Sequence, residues 1–392
     1  IAKDLSPLDP ECMYALGYFN YYQGKYNDAK SNYLLSIKLA YGDPFQKNIP
    51  FIMYYIGLCE LALGNKKDWL LMNEYRPKQA LKDFYKVCDE STTKYIHNLK
   101  EINSINEIQK DTKLLVLSEQ GFGDQIMYAR YLRELKKYSK FITFQTHSAT
   151  VNLFKNCEDL KNISVKNKIL KKEVSTFDYK IFLLSLPSLL NDFKKKWPKP
   201  LNLSSKEFYC YLNGSQKKSF KNFLQNHVNS NKLNVGICWK GRREFTENNR
   251  RSVKLGDLKK LFTKDINFFS LQKDTSESEK KIISKFENFF NLENYINNFT
   301  DMAIITELMD VIITICSAPA HLAGSINKKT FLLLDKNHSP QWNEFKTNKL
   351  YYNFTILKQK SSYSWKTPIN NLRDLIKEES RLKLLKKPII SY

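Results

Sequence analysis

The 392-residue chain carries 63 Lys+Arg against 40 Asp+Glu, a formal net charge of +23, with 42% hydrophobic and 14% aromatic residues. That is more sequence than one core organises and ample apolar material for packing, so two or three domains are expected. The charge fits nucleic acid, an anionic membrane surface or an anionic substrate. The basic residues are scattered, however, with no RNA-binding signature or recognition helix, which argues against nucleic acid as the main partner.

The seven cysteines lie far apart with no C-x-x-C pair, which fits a reducing compartment and neither a disulfide framework nor a zinc ribbon. No apolar run approaches the roughly 20 residues that span a bilayer. A cytoplasmic location is expected, peripheral contact with the inner face of the membrane included. The opening "IAKDLSPLDPE" starts at Ile1 and reads as the end of one helical unit and the start of another. A piece of a longer protein is expected.

Residues 1–110 read as helical and repetitive. Gly17 and Gly24 in the first copy match Gly57 and Gly64 in the second, and Ala29 and Tyr33 stand where a second helix packs on the first. The pattern resembles the tetratricopeptide repeat, in which a small residue lets two helices approach and a glycine ends the first. The copies are 40 residues apart rather than about 34, and Trp69 occupies the small-residue position of the second. Such a block is either a concave surface for a protein or peptide partner, or a spacer layer.

From Lys113 strands and helices alternate, the signature of parallel sheets. In residues 111–230 strands are expected at Leu114–Leu117, Phe141–Gln145 and Tyr179–Leu184, with a helix at Asp124–Lys137. A helix around Lys217–Asn229 leads into residues 231–365, with strands at Leu233–Cys238, Ile266–Leu271, Val311–Ile315 and Thr330–Leu334. Residues 366–392 read as a helix and tail. Two such domains in tandem imply a ligand cleft at the carboxyl ends of their strands.

Three segments carry chemistry. "SEQGFGDQ" places Gln120, Gly121, Gly123 and Asp124 at a strand-to-helix junction, where glycine leaves room for a ligand near the backbone. Asp124 is either an N-cap or a general base, which the amides of the helix start would hold ionised. "WKGRREFTENNRRS" gathers Lys240, Arg242, Arg243, Arg250, Arg251 and Ser252, a loop suited to a diphosphate. "CSAPAH" ends a strand at Cys316-Ser317-Ala318 and starts a helix at Pro319, whose free amides suit a phosphate. His321, one turn in, is either a packed core residue or a ligand contact.

Taken in order, "SEQGFGDQIMYARYL", "WKG…RRS", "SLQKD" and "APAHLAG…LLL" resemble the heptosyltransferase-like proteins of glycosyltransferase family nine, and more narrowly members fused behind tetratricopeptide repeats. The resemblance spans about residues 113–360. It implies a GT-B architecture, two Rossmann-like domains behind an all-α repeat region, and inverting transfer from a nucleotide-diphosphate sugar without metal or other cofactor. The absence of Asp-x-Asp agrees. By this resemblance Asp124 deprotonates the acceptor. Lys240, Arg250, Arg251 and Ser252 lie near the donor phosphates, and Ser317, Ala318 and His321 cradle them. Leu271, Gln272 and Lys273 sit beside the nucleoside. Cys316 departs from the family, which carries an acid there, as does Pro319. The acceptor is a glycan, a lipid-linked glycan or a protein. Two other readings compete: a non-catalytic adaptor binding proteins through its repeats, and a basic nucleic-acid-binding protein.

Overall fold

The computed structural model describes residues 9–76, 90–192, 197–204, 222–223, 226–228, 231–241, 248–343 and 350–385. The chain opens with two helical hairpins, α1 (Pro10–Tyr22) with α2 (Tyr26–Ala40) and α3 (Ile49–Ala62) with α4 (Lys66–Asn73); α5 (Glu90–Asn98) follows. The Asp9 carboxylate caps α1 by accepting from the Glu11 amide at 2.7 Å, and Pro10 occupies the first turn, where its missing N–H is harmless. A Cβ on Gly17 would lie 2.6 Å from the Tyr33 ring, and one on Gly57 2.6 Å from Met72 Cβ. Both glycines therefore set the distance between paired helices. Gly24 and Gly64 take φ of 76° and 91°, the left-handed geometry that ends each first helix. Trp69 does not imitate a small residue. It turns outward from its hairpin and packs on Trp197 and Tyr128, with ring centroids 5.7 and 6.5 Å away.

The remainder is α/β. The first sheet holds β1 (Lys113–Leu117), β2 (Phe141–Gln145), β3 (Ser164–Lys166) and β4 (Tyr179–Phe182) in the order β3-β2-β1-β4. The second holds β5 (Leu233–Cys238), β6 (Ile266–Ser270), β7 (Phe289–Asn291), β8 (Val311–Ile315), β9 (Thr330–Leu334) and β10 (Phe354–Lys358) in the order β10-β9-β8-β5-β6-β7. All pairings are parallel. Strands β5, β6, β8 and β9 are buried along their whole length, as expected of central strands covered on both faces. Of the four edge strands, β4 was expected and β3, β7 and β10 were not legible in the sequence.

Four helices position the site: α6 (Phe122–Tyr128), α7 (Arg130–Leu135), α8 (Asn248–Arg251) and, after β8, α10 (Ala318–Ser325); α9 (Phe299–Leu308) precedes β8, and α11 (Lys366–Leu385) closes the chain. The helix expected over Asp124–Lys137 thus starts two residues earlier and divides at Ala129. The strand expected to reach Leu184 stops at Phe182, where a 3₁₀ turn takes over. The helix expected around Lys217–Asn229 lies mostly outside the described residues. So do Arg242 and Arg243. α11 packs on β5, β10 and the 3₁₀ segment Leu255–Leu261, so it completes the second domain rather than crossing both. One continuous hydrophobic core takes in Leu61, Trp69 and Leu70 of the hairpins, one face of the first sheet and one face of the second.

Candidate functional site

A parallel α/β sheet leaves a crevice where the strand order reverses. Those points fall between β1 and β4 in the first sheet and between β5 and β8 in the second. The loop after β1 carries Gln120, Gly121, Gly123 and Asp124. The segments after β5 and β8 carry Lys240 and Ser317. The chain therefore places its three distinctive segments at the two positions where such sheets bind ligands.

The glycines of the first loop do different work. Gly121 caps α6 with ordinary extended angles, φ −79° and ψ 168°, and a Cβ there would meet only Asp124 Oδ2 at 3.3 Å. Gly123 is a contact with the other domain. A Cβ on it would lie 2.8 Å from His321 Cδ2 and 3.5 Å from Ala318 Cα. The starts of α6 and α10 thus meet across the domain boundary, and Gly123 clears space for a protein side chain rather than for a ligand. The left-handed residue in the loop is Gln120, with φ 60°.

Asp124 accepts a hydrogen bond from the Gly121 amide at 3.1 Å, so it does cap its helix. It is half-buried, and burial pushes its carboxyl up to about 6 from an ordinary 3.8. The Glu119 carboxylate adds to the rise, while the Gly121 amide, its own amide and Arg251 oppose it. Desolvation outweighs the amides of the helix start, yet a value near 6 still leaves the acid mostly ionised at neutral pH, as expected. Arg251 belongs to the second domain, so the carboxylate and the basic loop feel one another across the boundary.

Two residues of the helical block reach this loop. Arg76 donates from Nη2 to Glu119 Oε1 at 2.5 Å and from Nε to Oε2 at 3.0 Å. Tyr54, on α3, is a second neighbour: burial and the Asp124 carboxylate raise its phenol to about 12. Neither was anticipated. Glu119 offered a signal, an acid ending a buried strand, whereas Arg76 lies 43 residues away with none.

In the second domain, Arg251 Nη1 donates to the Cys316 carbonyl at 3.1 Å, joining the basic loop to the end of β8. Ser252 Oγ donates to Asn248 Oδ1 at 3.0 Å and accepts from the Gly241 amide at 3.3 Å, closing the loop on itself. Lys240 is directed elsewhere, bonding the Glu279 carboxylate and, at 2.9 Å, the Asp274 carbonyl. Arg250 Nε lies 3.0 Å from Asp335 Oδ2, with its guanidinium 5.0 Å over the Tyr22 ring of α1. Cys316 presents a neutral thiol: burial raises it to about 11, and Trp342 Nε1 donates to its sulfur at 3.1 Å.

Ser317 stands at the start of α10 without capping it, its hydroxyl donating to the Ile315 carbonyl at 3.4 Å. Ala318 follows as the first helical residue, against Gly123. His321 is 4% exposed. Its Nδ1 lies 3.1 Å from the Tyr351 hydroxyl, and its ring lies 4.9 Å from Trp342. Burial first, and Arg130 second, depress its pKa to about 3. It packs in the domain contact against Gly123, Tyr351 and Trp342, and burial keeps its ring neutral, so it supplies no positive charge there. Leu271 is buried. Gln272 Oε1 accepts from the Lys240 amide at 3.0 Å and the Trp239 amide at 3.3 Å, pinning the ends of β5 and β6 together. Lys273 donates to the carbonyls of Ile296 and Glu293 and borders a polar cavity of about 610 Å³ shared with Lys280, Asn291, Glu293, Asn294 and Asn297.

No protein-family model and no curated protein matches the sequence. Solved structures do. Escherichia coli ADP-heptose lipopolysaccharide heptosyltransferase II is 13% identical over 68% of this chain and 99% of its own, with a TM-score of 0.45. The glycosyl transferase family 9 protein from Veillonella parvula DSM 2008 is 12% identical over 73% of this chain and 100% of its own, with a TM-score of 0.50. The likeness to the second, together with the two parallel sheets, gives the chain a GT-B fold of two Rossmann-like domains behind a helical region.

Proposed function

We propose that the chain is an inverting glycosyltransferase that moves a sugar from a nucleotide-diphosphate donor to a hydroxyl of a glycan, lipid-linked glycan or protein, without a metal ion. The observation that carries this reading is the half-buried Asp124 carboxylate at one switch point, within electrostatic reach of Arg251 from the other. A base with its pKa near 6 is mostly ionised at neutral pH yet still able to take a proton. In the proposed step Asp124 takes the acceptor hydroxyl proton as that oxygen forms its bond to the anomeric carbon. The bond from that carbon to the diphosphate oxygen breaks on the opposite face, so configuration inverts. Charge developing on the leaving diphosphate is met by Arg251 and by the amides at the start of α10. The cavity beside Lys273 lies at the ends of β6 and β7, two to three strand spacings from β8, roughly 10–14 Å, which suits a nucleoside whose phosphates reach back to Arg251. The sugar transferred and the base carried are left to the test: titration with UDP- and ADP-sugars followed by thermal shift, then transfer assays with wild type and Asp124→Asn. Donor binding without transfer by wild type to any acceptor in a native extract would refute the enzyme reading. It would favour the adaptor, for which the ion pairs that occupy Lys240 and Arg250 are the supporting observation.

A further inference from the structure

We propose that Arg76 is a positioning residue for the glycine-rich loop, and that through it the helical block is an obligatory part of the catalytic unit rather than a spacer. The inference rests on the reading of Asp124 as the base. Arg76 and Glu119 are 3% and 2% exposed, so their pairing is a buried, two-point charged contact. Each partner is held from other sides as well. Arg76 Nη1 donates to the Asn73 carbonyl at 2.9 Å and Nη2 to Ser185 Oγ at 2.9 Å. Glu119 Oε1 also accepts from the Leu184 amide at 3.1 Å. Three segments, the end of α4, the turn after β4 and the end of β1, therefore converge on one carboxylate. That carboxylate cannot turn away without leaving a charge unpaired in the interior, which is strongly disfavoured.

The convergence lies directly upstream of the base. Glu119 is followed by the left-handed Gln120 and then by Gly121, whose amide holds Asp124. Little slack separates the fixed carboxylate from the working one. Tyr54 supports the same conclusion from a different helix, since α3 brings its phenol within electrostatic reach of Asp124, Arg76 and Glu119. A spacer helix would have no reason to bury a guanidinium fork under the loop of another domain.

The test compares Arg76→Met, Arg76→Lys and Glu119→Gln with wild type in the full chain, by hydrogen exchange of peptides covering 114–128 and by steady-state transfer. Lys keeps the charge but not the fork, so it should fold even where Met does not. Expected for Lys and Gln are at least tenfold faster exchange in the 119–124 loop, unchanged exchange in β5, β6 and β8, and a kcat at least tenfold lower at unchanged donor KM. Exchange in the loop equal to wild type in folded Arg76→Lys and Glu119→Gln overturns the inference. So does a rise in donor KM with kcat preserved. The exchange measurement needs no substrate. Faster loop exchange in the two variants, with a wild type that binds donor but transfers no sugar, therefore refutes the glycosyltransferase reading and leaves the coupling of block to loop standing.

Discussion

The Asp124→Asn variant separates the cap that the structure shows from the general base proposed for the same side chain, because it should change stability and turnover in opposite directions. Asp124 is drawn from an ordinary 3.8 to about 6 by burial. A folded-state pKa above the unfolded one means that the native protein binds the proton more tightly. The ionised carboxylate therefore weakens the fold above pH 6, and the penalty is relieved as pH falls from 6 to 4. At 1.36 kcal/mol per pH unit, the gap corresponds to about 3 kcal/mol at pH 7, an upper value because the side chain keeps some contact with water. Asn matches Asp as a cap and keeps an acceptor for the Gly121 amide, but has no charge to desolvate. Asp124→Asn should therefore melt several degrees higher than wild type at pH 7, at about 2–4 °C per kcal/mol for large domains, and the advantage should vanish near pH 4. Turnover should fall by at least about a hundredfold, the usual contribution of a positioned base, with donor affinity retained. Calorimetric melting at pH 4, 5.5, 7 and 8, paired with transfer rates, checks both. If Asp124 is only a cap, the melting difference will not vary with pH and turnover will persist in Asn while Ala alone loses stability, by about 1 kcal/mol. That result would refute the reasoning.

Other expectations follow from particular contacts. Arg251→Ala should weaken UDP or ADP binding at least tenfold in calorimetry, since charge-assisted phosphate contacts are worth about 1.5–3 kcal/mol. Lys240→Ala, already paired with Glu279, should change the same affinity by less than Arg251→Ala. Gly123→Ala should destabilise the chain by about 1–3 kcal/mol, because its Cβ would meet the His321 ring at 2.8 Å; Gly121→Ala, with ordinary φ and a single close neighbour, the Asp124 carboxylate at 3.3 Å, should lower the melting temperature less than Gly123→Ala. Transfer should persist in excess chelator; activity lost there and restored by magnesium or manganese would end the metal-free mechanism.

How far the sequence revealed the fold depended on burial. Strands such as "VIITI" and "TFLLL" are legible because a centre strand covered on both faces must be apolar throughout; four of the seven strands placed within about two residues, β5, β6, β8 and β9, are of this kind. The hairpin glycines were legible for a related reason: Gly17 and Gly24 answer different demands, close approach and positive φ, and both recur at the same spacing in the next pair. Edge strands β3, β7 and β10 run only three to five residues with mixed burial, so no periodicity marks them. Trp69 misled as a degenerate repeat position because its partners, Tyr128 and Trp197, belong to another domain.

The site was less legible, because a sequence counts charges without pairing them. "WKGRREFTENNRRS" presents Lys240, Arg250 and Arg251 as equals. In the fold Lys240 answers Glu279 and Arg250 answers Asp335, while Arg251 bonds the carbonyl of Cys316 and is felt by Asp124. His321 shows the converse. Its place one turn into a helix suggests a ligand, yet closing Gly123 against it removes the water that would keep it charged, and its pKa falls to about 3. The same closure raises Asp124. Desolvation at the meeting of α6 and α10 thus acts on both groups in the direction that favours neutral forms, and only the carboxylate ends near the pH where it can exchange a proton. The electrostatic character of the cleft comes from how the domains and the helical block close on it, and a charge variant at Arg76 should be felt there through Glu119 although Arg76 belongs to no motif.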